Sequence, residues 1–183
     1  MNINLMKSPK VGNSLLVVFT HSDKIKSSET PFGDQFEISS SKEFLKEMKR
    51  TGELSGKKGE MTLIHSFLIE NFTFNSKHIS QKLQPSRLLF VGLGNSNNVN
   101  NELLREVGAN LVKKASSLSL SEFSIIIESS AIKDNSECIS SITEGLMLGN
   151  YSFDEFKTDK EDSKTITVEL LIDEIDNIHS EAL

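Results

Sequence analysis

Ser86-Arg-Leu-Leu-Phe-Val-Gly-Leu-Gly94 is the stretch that decides the fold. Leu88 to Val91 is an apolar run with no polar interruption, and it stops at Gly92. A strand wetted on one face alternates, so an unbroken run reads as a strand buried on both faces. A few residues later, Asn100 or Asn101 can cap a helix. Leu103, Leu104, Val107, Leu111, Val112, Ala115 and Leu118 then recur at a 3.6-residue period. A doubly buried strand that leaves through glycine into an amphipathic helix is the building unit of a layered α/β sheet.

The same unit repeats on either side. Leu15-Leu16-Val17-Val18-Phe19 is a second continuous run, and Phe123 to Ile127, with three consecutive isoleucines and Ser124 as its one polar residue, is a third strand of this kind. Met61 to Ile69 reads as a longer strand interrupted by His65 and Ser66. Ile166, Val168, Leu170 and Ile172 alternate with Thr167, Glu169 and Leu171. That period of two predicts a strand with one wetter face, nearer an edge. Ser40 and Glu43 make a capping-box signature before Phe44, Leu45 and Met48, and Gly52 closes that helix. A further helix from Asp134 or Asn135 places Ile139, Ile142, Leu146 and Gly149 on one face. Ser22 to Asp34, polar and carrying Pro31 and Gly33, reads as a loop. Strands alternating with helices predict one α/β domain with a mixed, mostly parallel central sheet flanked by helices.

Composition narrows the function. The chain has 183 residues, and its 20 basic against 26 acidic residues leave a net charge of −6. That balance argues against a generic basic nucleic-acid binder. Cys138 is the only cysteine, so neither an internal disulfide framework nor a CxxC zinc module is available. Apolar runs of about five residues fall far short of the roughly 20 needed to span a bilayer. Met1 to Lys10 lacks the apolar region of a signal peptide, and the expected location is the cytoplasm.

Candidate chemistry is sparse. Gly92-Leu93-Gly94 follows a buried strand, which is where α/β folds bind phosphate through free backbone N–H groups. Asn97 stands where the dinucleotide fingerprint needs its third glycine, so a strand-exit turn needing positive φ is the stronger reading. Gly52, Gly56 and Gly59 with Lys57 and Lys58 lack the order of a P-loop and read as a flexible connection into the strand at Met61. His21, His65, His78 and His179 include no i, i+4 pair, so there is no zinc helix of the H-E-x-x-H type. Cys138 sits beside an apolar helical stripe and reads as a small buried hydrophobe. Asp159 to Asp162 reads as a solvated acidic stretch. No catalytic constellation and no metal site emerges from the residues.

Glu144 to Lys157 reads Glu-Gly-Leu-Met-Leu-Gly-Asn-Tyr-Ser-Phe-Asp-Glu-Phe-Lys. It resembles the E-G-x-x-L-G-x-Y-x-F-x-x-[YF]-K signature near the end of the N-terminal domain of leucyl (cytosol) aminopeptidases. Thr51 to Leu63 is similar to that family's F-x-G-K-x-G-E stretch, and Ser86 to Gly94 to its strand ending in V-G-L-G. In physical terms, Gly145 and Gly149 share a helical face and allow a backbone to approach closely, while Tyr151, Phe153 and Phe156 can pack over the sheet edge.

The resemblance implies a macro-domain-like N-terminal, non-catalytic domain over residues 1–172, with 173–183 starting a linker helix to a C-terminal catalytic domain. There two divalent metals, zinc or manganese, would activate water to remove N-terminal residues, leucine preferred, from peptides. It also implies a homo-hexamer, with the C-terminal catalytic domain and peptide substrates as partners and no membrane; some relatives bind nucleic acid through this domain, and the charge of −6 argues against that here. The alternative is a free-standing macro-like module that binds a nucleotide or ADP-ribose, with Gly92, Leu93 and Gly94 as its phosphate contacts.

Overall fold

The three apolar runs lie side by side near the centre of one sheet. The computed structural model describes residues 1–6, 14–27, 36–39, 42–66, 73–76, 84–127, 135–151 and 165–172. Its elements in chain order are β1 (Asn2–Met6), β2 (Leu16–Thr20), α1 (Ser22–Ser27), β3 (Phe36–Ser39), α2 (Lys42–Thr51), β4 (Met61–His65), β5 (Thr73–Ser76), β6 (Arg87–Gly92), α3 (Asn101–Ser117), β7 (Glu122–Ile127), α4 (Asn135–Asn150) and β8 (Thr167–Ile172). A short 3₁₀ turn, Ser96–Asn98, precedes α3. The main sheet has the order β1-β8-β7-β2-β6-β4, and β3 pairs with β5 in a separate antiparallel ribbon. Every neighbour in the main sheet is parallel except β4, which runs antiparallel to β6. This is the mixed, mostly parallel sheet that the strand patterns predict.

Both faces of the central strands are covered, and this is why their sequence does not alternate. Val17, Phe19, Leu89, Val91, Phe123 and Ile125 point to the layer formed by α3 and α4. Leu16, Val18, Leu88, Phe90 and Ile126 point to the other face, where Ile25 of α1 and Leu45 and Met48 of α2 pack. In α4 the predicted stripe of Ile139, Ile142 and Leu146 is fully buried, and Cys138 is buried beside it.

Three local expectations change. β8 does lie near an edge, with only β1 outside it, but its predicted wetter face is buried. Its polar position Glu169 is 2% exposed and accepts a hydrogen bond from Ser124 Oγ at 3.1 Å across the β7–β8 register. A hydrogen-bonded carboxylate can sit inside a sheet that burial alone would forbid it. The stretch after His21 opens with α1 rather than a loop. The strand from Met61 is described as β4 to His65, and residues 67–69 lie outside the described set. Tyr151 is exposed rather than packed over the sheet edge. The predicted caps at Ser40 and Asp134, the residues Phe153 and Phe156, the acidic stretch 159–162 and the tail 173–183 also lie outside the described residues.

Candidate functional site

Strand order and helix placement mark one position for a ligand. The helix after β2 lies on one face of the sheet, and those after its neighbours β6 and β7 lie on the other. Open α/β sheets bind ligands at the carboxyl ends of strands at such a switch point. Here the strand ends supply Thr20 and His21 from β2, and Gly92, Leu93 and Gly94 from β6. His21 is 3% exposed.

The crevice between these two loops is stitched closed by the chain itself. Leu93 N–H donates to the Thr20 carbonyl and Ser22 N–H to the Gly94 carbonyl, both at 2.9 Å. Asp23 accepts from Ser96 twice, from N–H at 2.9 Å and from Oγ at 2.6 Å. Burial pushes the Asp23 carboxyl up. The Ser96 hydroxyl and N–H, with the charge of His21, outweigh it and hold the group below its ordinary value.

The other side of the glycine turn is closed by the segment from Gly52 to Glu60. Gly92 N–H donates to the Glu60 carbonyl at 2.8 Å, and Gly94 N–H to the Gly56 carbonyl at 2.9 Å. The amides of Gly92, Leu93 and Gly94 are thus all engaged with main-chain carbonyls, and in this conformation none points to a phosphate. Gly92 must be glycine for another reason: a Cβ there would lie 2.0 Å from the Lys57 carbonyl oxygen. Gly94 adopts φ +79°, the positive φ that the strand-exit reading requires.

The connection at Gly52 to Glu60 is not the flexible link that its glycines suggest. The Glu60 carboxylate accepts from Ser55 N–H at 3.0 Å, from Ser55 Oγ at 3.1 Å and from Lys57 N–H at 3.1 Å. Gly56 and Gly59 take positive φ to make those turns. Lys58 pairs with Glu106 of α3 at 3.2 Å, tying the loop to the helix layer. Glu60 is the closing residue of the G-K-x-G-E resemblance, but the pattern does not show what its carboxylate holds, and nothing in it singles out the Asp23–Ser96 bridge, because those partners meet only in the folded chain.

At the start of α3, Asn100 is the cap, and its side chain accepts from Leu103 N–H at 2.9 Å. His65 lies in β4, far in sequence from His21, and His78 and His179 fall outside the described residues. Among the described residues no group of three or more His, Cys, Asp or Glu could hold a metal ion. No helix of the described residues is long and apolar enough to cross a membrane.

The Glu144–Tyr151 segment has a structural explanation. Glu144 accepts from Arg105 Nε of α3. Gly145 and Gly149 press against the backbone of Arg105 and Ala109. A family model described as the N-terminal domain of the cytosol aminopeptidase family matches residues 16–160.

The chain belongs to the cytosol aminopeptidase family. As such a domain it is 29% identical over 119 residues to the probable cytosol aminopeptidase of Sulfurihydrogenibium, a match covering 65% of this chain and 24% of that one. The cytosol aminopeptidase domain described here therefore spans about a quarter of that relative's length. A solved tomato leucine aminopeptidase mutant superposes over 100% of this chain and 34% of its own, with a TM-score of 0.65 at 16% identity. A mutant of the Oceanobacillus iheyensis macrodomain matches over 98% of this chain and 85% of its own, with a TM-score of 0.51 at 13% identity. At these identities the two structures show the fold of the aminopeptidase domain, and that fold is macro-domain-like.

Proposed function

We propose that the chain is the non-catalytic N-terminal domain of a two-metal leucyl aminopeptidase. The observation that carries the reading is the N-terminal-domain match over residues 16–160. In this reading residues 173–183 open the connection to a C-terminal catalytic domain. That domain supplies the two divalent ions, zinc or manganese, and the water they activate. The parent removes N-terminal residues from peptides, leucine foremost, in a cytoplasmic homo-hexamer, and the 183-residue chain contributes to assembly and access. Purified alone, with manganese or zinc added, the chain is expected not to cleave leucine-p-nitroanilide. Robust metal-dependent turnover that co-purifies with it overturns the reading.

The macrodomain-like fold supports a second reading, a module that binds a nucleotide or ADP-ribose. The engaged amides of Gly92, Leu93 and Gly94 weigh against it. Calorimetric titration with ADP-ribose separates the two: silence is expected, and micromolar binding would favour the module.

A further inference from the structure

Among the described residues, three of the four exposed large apolar side chains lie close together. Met147 is 62% exposed, Leu148 68% and Tyr151 72%. Met147 and Leu148 lie in the last turn of α4, and Tyr151 directly follows it, four and three residues on, with its N–H bonded to the Leu148 carbonyl, so the three group at that end of the helix. Phe44 on α2, at 36%, is the other large apolar side chain exposed among the described residues, and it stands alone on the opposite layer. Scattered apolar residues need no explanation, but a contiguous patch marks an interaction surface.

The patch cannot be hidden by turning the helix. Across the same turns from Met147, Gly145 and Gly149 are pressed against the α3 backbone with no room for a side chain, and Leu148 flanks them. That contact fixes the rotation of α4 and with it the outward direction of Met147. Glu144, held by Arg105, borders the patch along the outer stripe. An apolar centre with a charged rim is the anatomy of a protein interface.

We infer that Met147, Leu148 and Tyr151 are the surface on which the C-terminal part of a cytosol aminopeptidase seats. The inference rests on the reading of this chain as the N-terminal domain. Two findings select that occupant. The family match is to an N-terminal domain, and the chain covers 24% of the two curated relatives that match most of it. The matched relatives carry roughly twice this chain's length of further protein, and a domain beside it has to offer that protein a face. Inter-domain faces bury on the order of 600–1,500 Å², which needs an apolar centre of this kind.

The chain contains no tryptophan, so a single introduced one reports cleanly. Tyr151→Trp places it in the patch, and Lys46→Trp places a control on exposed α2. Each variant is mixed with the part of the Sulfurihydrogenibium relative that follows its matched segment, shown to be folded by its own cleavage of leucine-p-nitroanilide. The expected result is a blue shift and a severalfold loss of acrylamide quenching at position 151, with none at 46. Binding that shields 46 and leaves 151 exposed overturns the patch while the domain reading stands. No binding by sedimentation overturns the patch, while the N-terminal-domain match over residues 16–160 stands. Shielding of 151 in the chain alone, growing with its concentration, identifies a second copy as the occupant and overturns this one.

Discussion

The backbone of Gly145 in α4 rests on the carbonyl of Arg105 in α3: a Cβ on Gly145 would lie 2.2 Å from that oxygen. The contact recurs along the crossing. A Cβ on Gly149 would meet Ala109 Cα at 2.6 Å, and one on Gly108 would meet the Ile142 carbonyl oxygen at 2.6 Å. Three glycines, one on α3 and two on α4, bring the helices closer than any side chain allows. The Arg105 side chain then reaches across the seam to Glu144. The layer over this face of the sheet thus behaves as one two-helix plate.

Gly145→Ala should separate that plate. Alanine gains about 1 kcal/mol of helix propensity over glycine. Against it stands overpacking of about 1–3 kcal/mol, at the upper end here because the partner is backbone that cannot swing aside. A net loss of about 2 kcal/mol is expected, a drop of about 4–8 °C in Tm for a chain of this size. Gly52→Ala is the control: its φ of +81° is strained for alanine, but nothing lies within 4 Å of the new Cβ. It should cost about 1 kcal/mol. Equal losses in the two variants, measured by thermal unfolding, would show that close packing is not what position 145 needs.

The end of α3 offers the opposite sign. Leu120 N–H donates to the Ala115 carbonyl and Ser119 N–H to the Ser116 carbonyl, the paired bonds of a Schellman cap. Ser119, at the position where glycine is usual, takes φ 55°. Ser119→Gly removes the Cβ strain of the left-handed conformation, and a stabilisation of about 0.5–1 kcal/mol is expected in urea unfolding. An unchanged or lower midpoint would refute it.

The part of the fold legible in the sequence is the part buried on both faces. β2 and β6 carry unbroken apolar runs, and β7 one broken only by Ser124, because helices cover each side, and α3 and α4 carry stripes long enough to show a period. α1 is six residues with Ile25 as its one buried apolar side chain, too short for a period to appear. The alternation of β8 suggests a wet face only because Ser124, 45 residues earlier, is invisible as the partner of Glu169. The candidate site follows the same logic. Its place after β6 can be read from Gly92-Leu93-Gly94, but whether those amides are free depends on carbonyls at Thr20, Gly56 and Glu60.

Glu60 holds the loop that covers those amides. Its carboxylate takes two N–H groups and one hydroxyl, and its own carbonyl takes Gly92 N–H. Hydrogen bonds to a charged group contribute about 1.5–3 kcal/mol. Glu60→Ala should cost about that much, and amide exchange of Gly92 and Gly94 should rise with it, since the loop that accepts their bonds is released. Glu60→Gln keeps an acceptor oxygen and should fall between. Destabilisation with unchanged exchange at Gly92 would mean that the carboxylate and the glycine turn are not coupled.

The Asp23–Ser96 bridge should give the crevice an acid limit. The folded carboxyl titrates below its ordinary value, so the folded state binds that proton less readily than the unfolded chain does. Its contribution is present in full above the unfolded value of about 3.9 and is lost as pH falls through the lowered folded value. Asp23→Asn removes the titration but keeps an acceptor for Ser96. Between pH 7 and pH 5 the variant should be the less stable protein by a constant margin, because a neutral amide bonds Ser96 more weakly than a carboxylate does. As pH drops below about 4, the margin should shrink towards zero, because the wild-type carboxyl becomes neutral as well. Urea midpoints at several pH values measure it, and a margin that stays constant or widens in acid would show that Asp23 is not the group holding the two loops together.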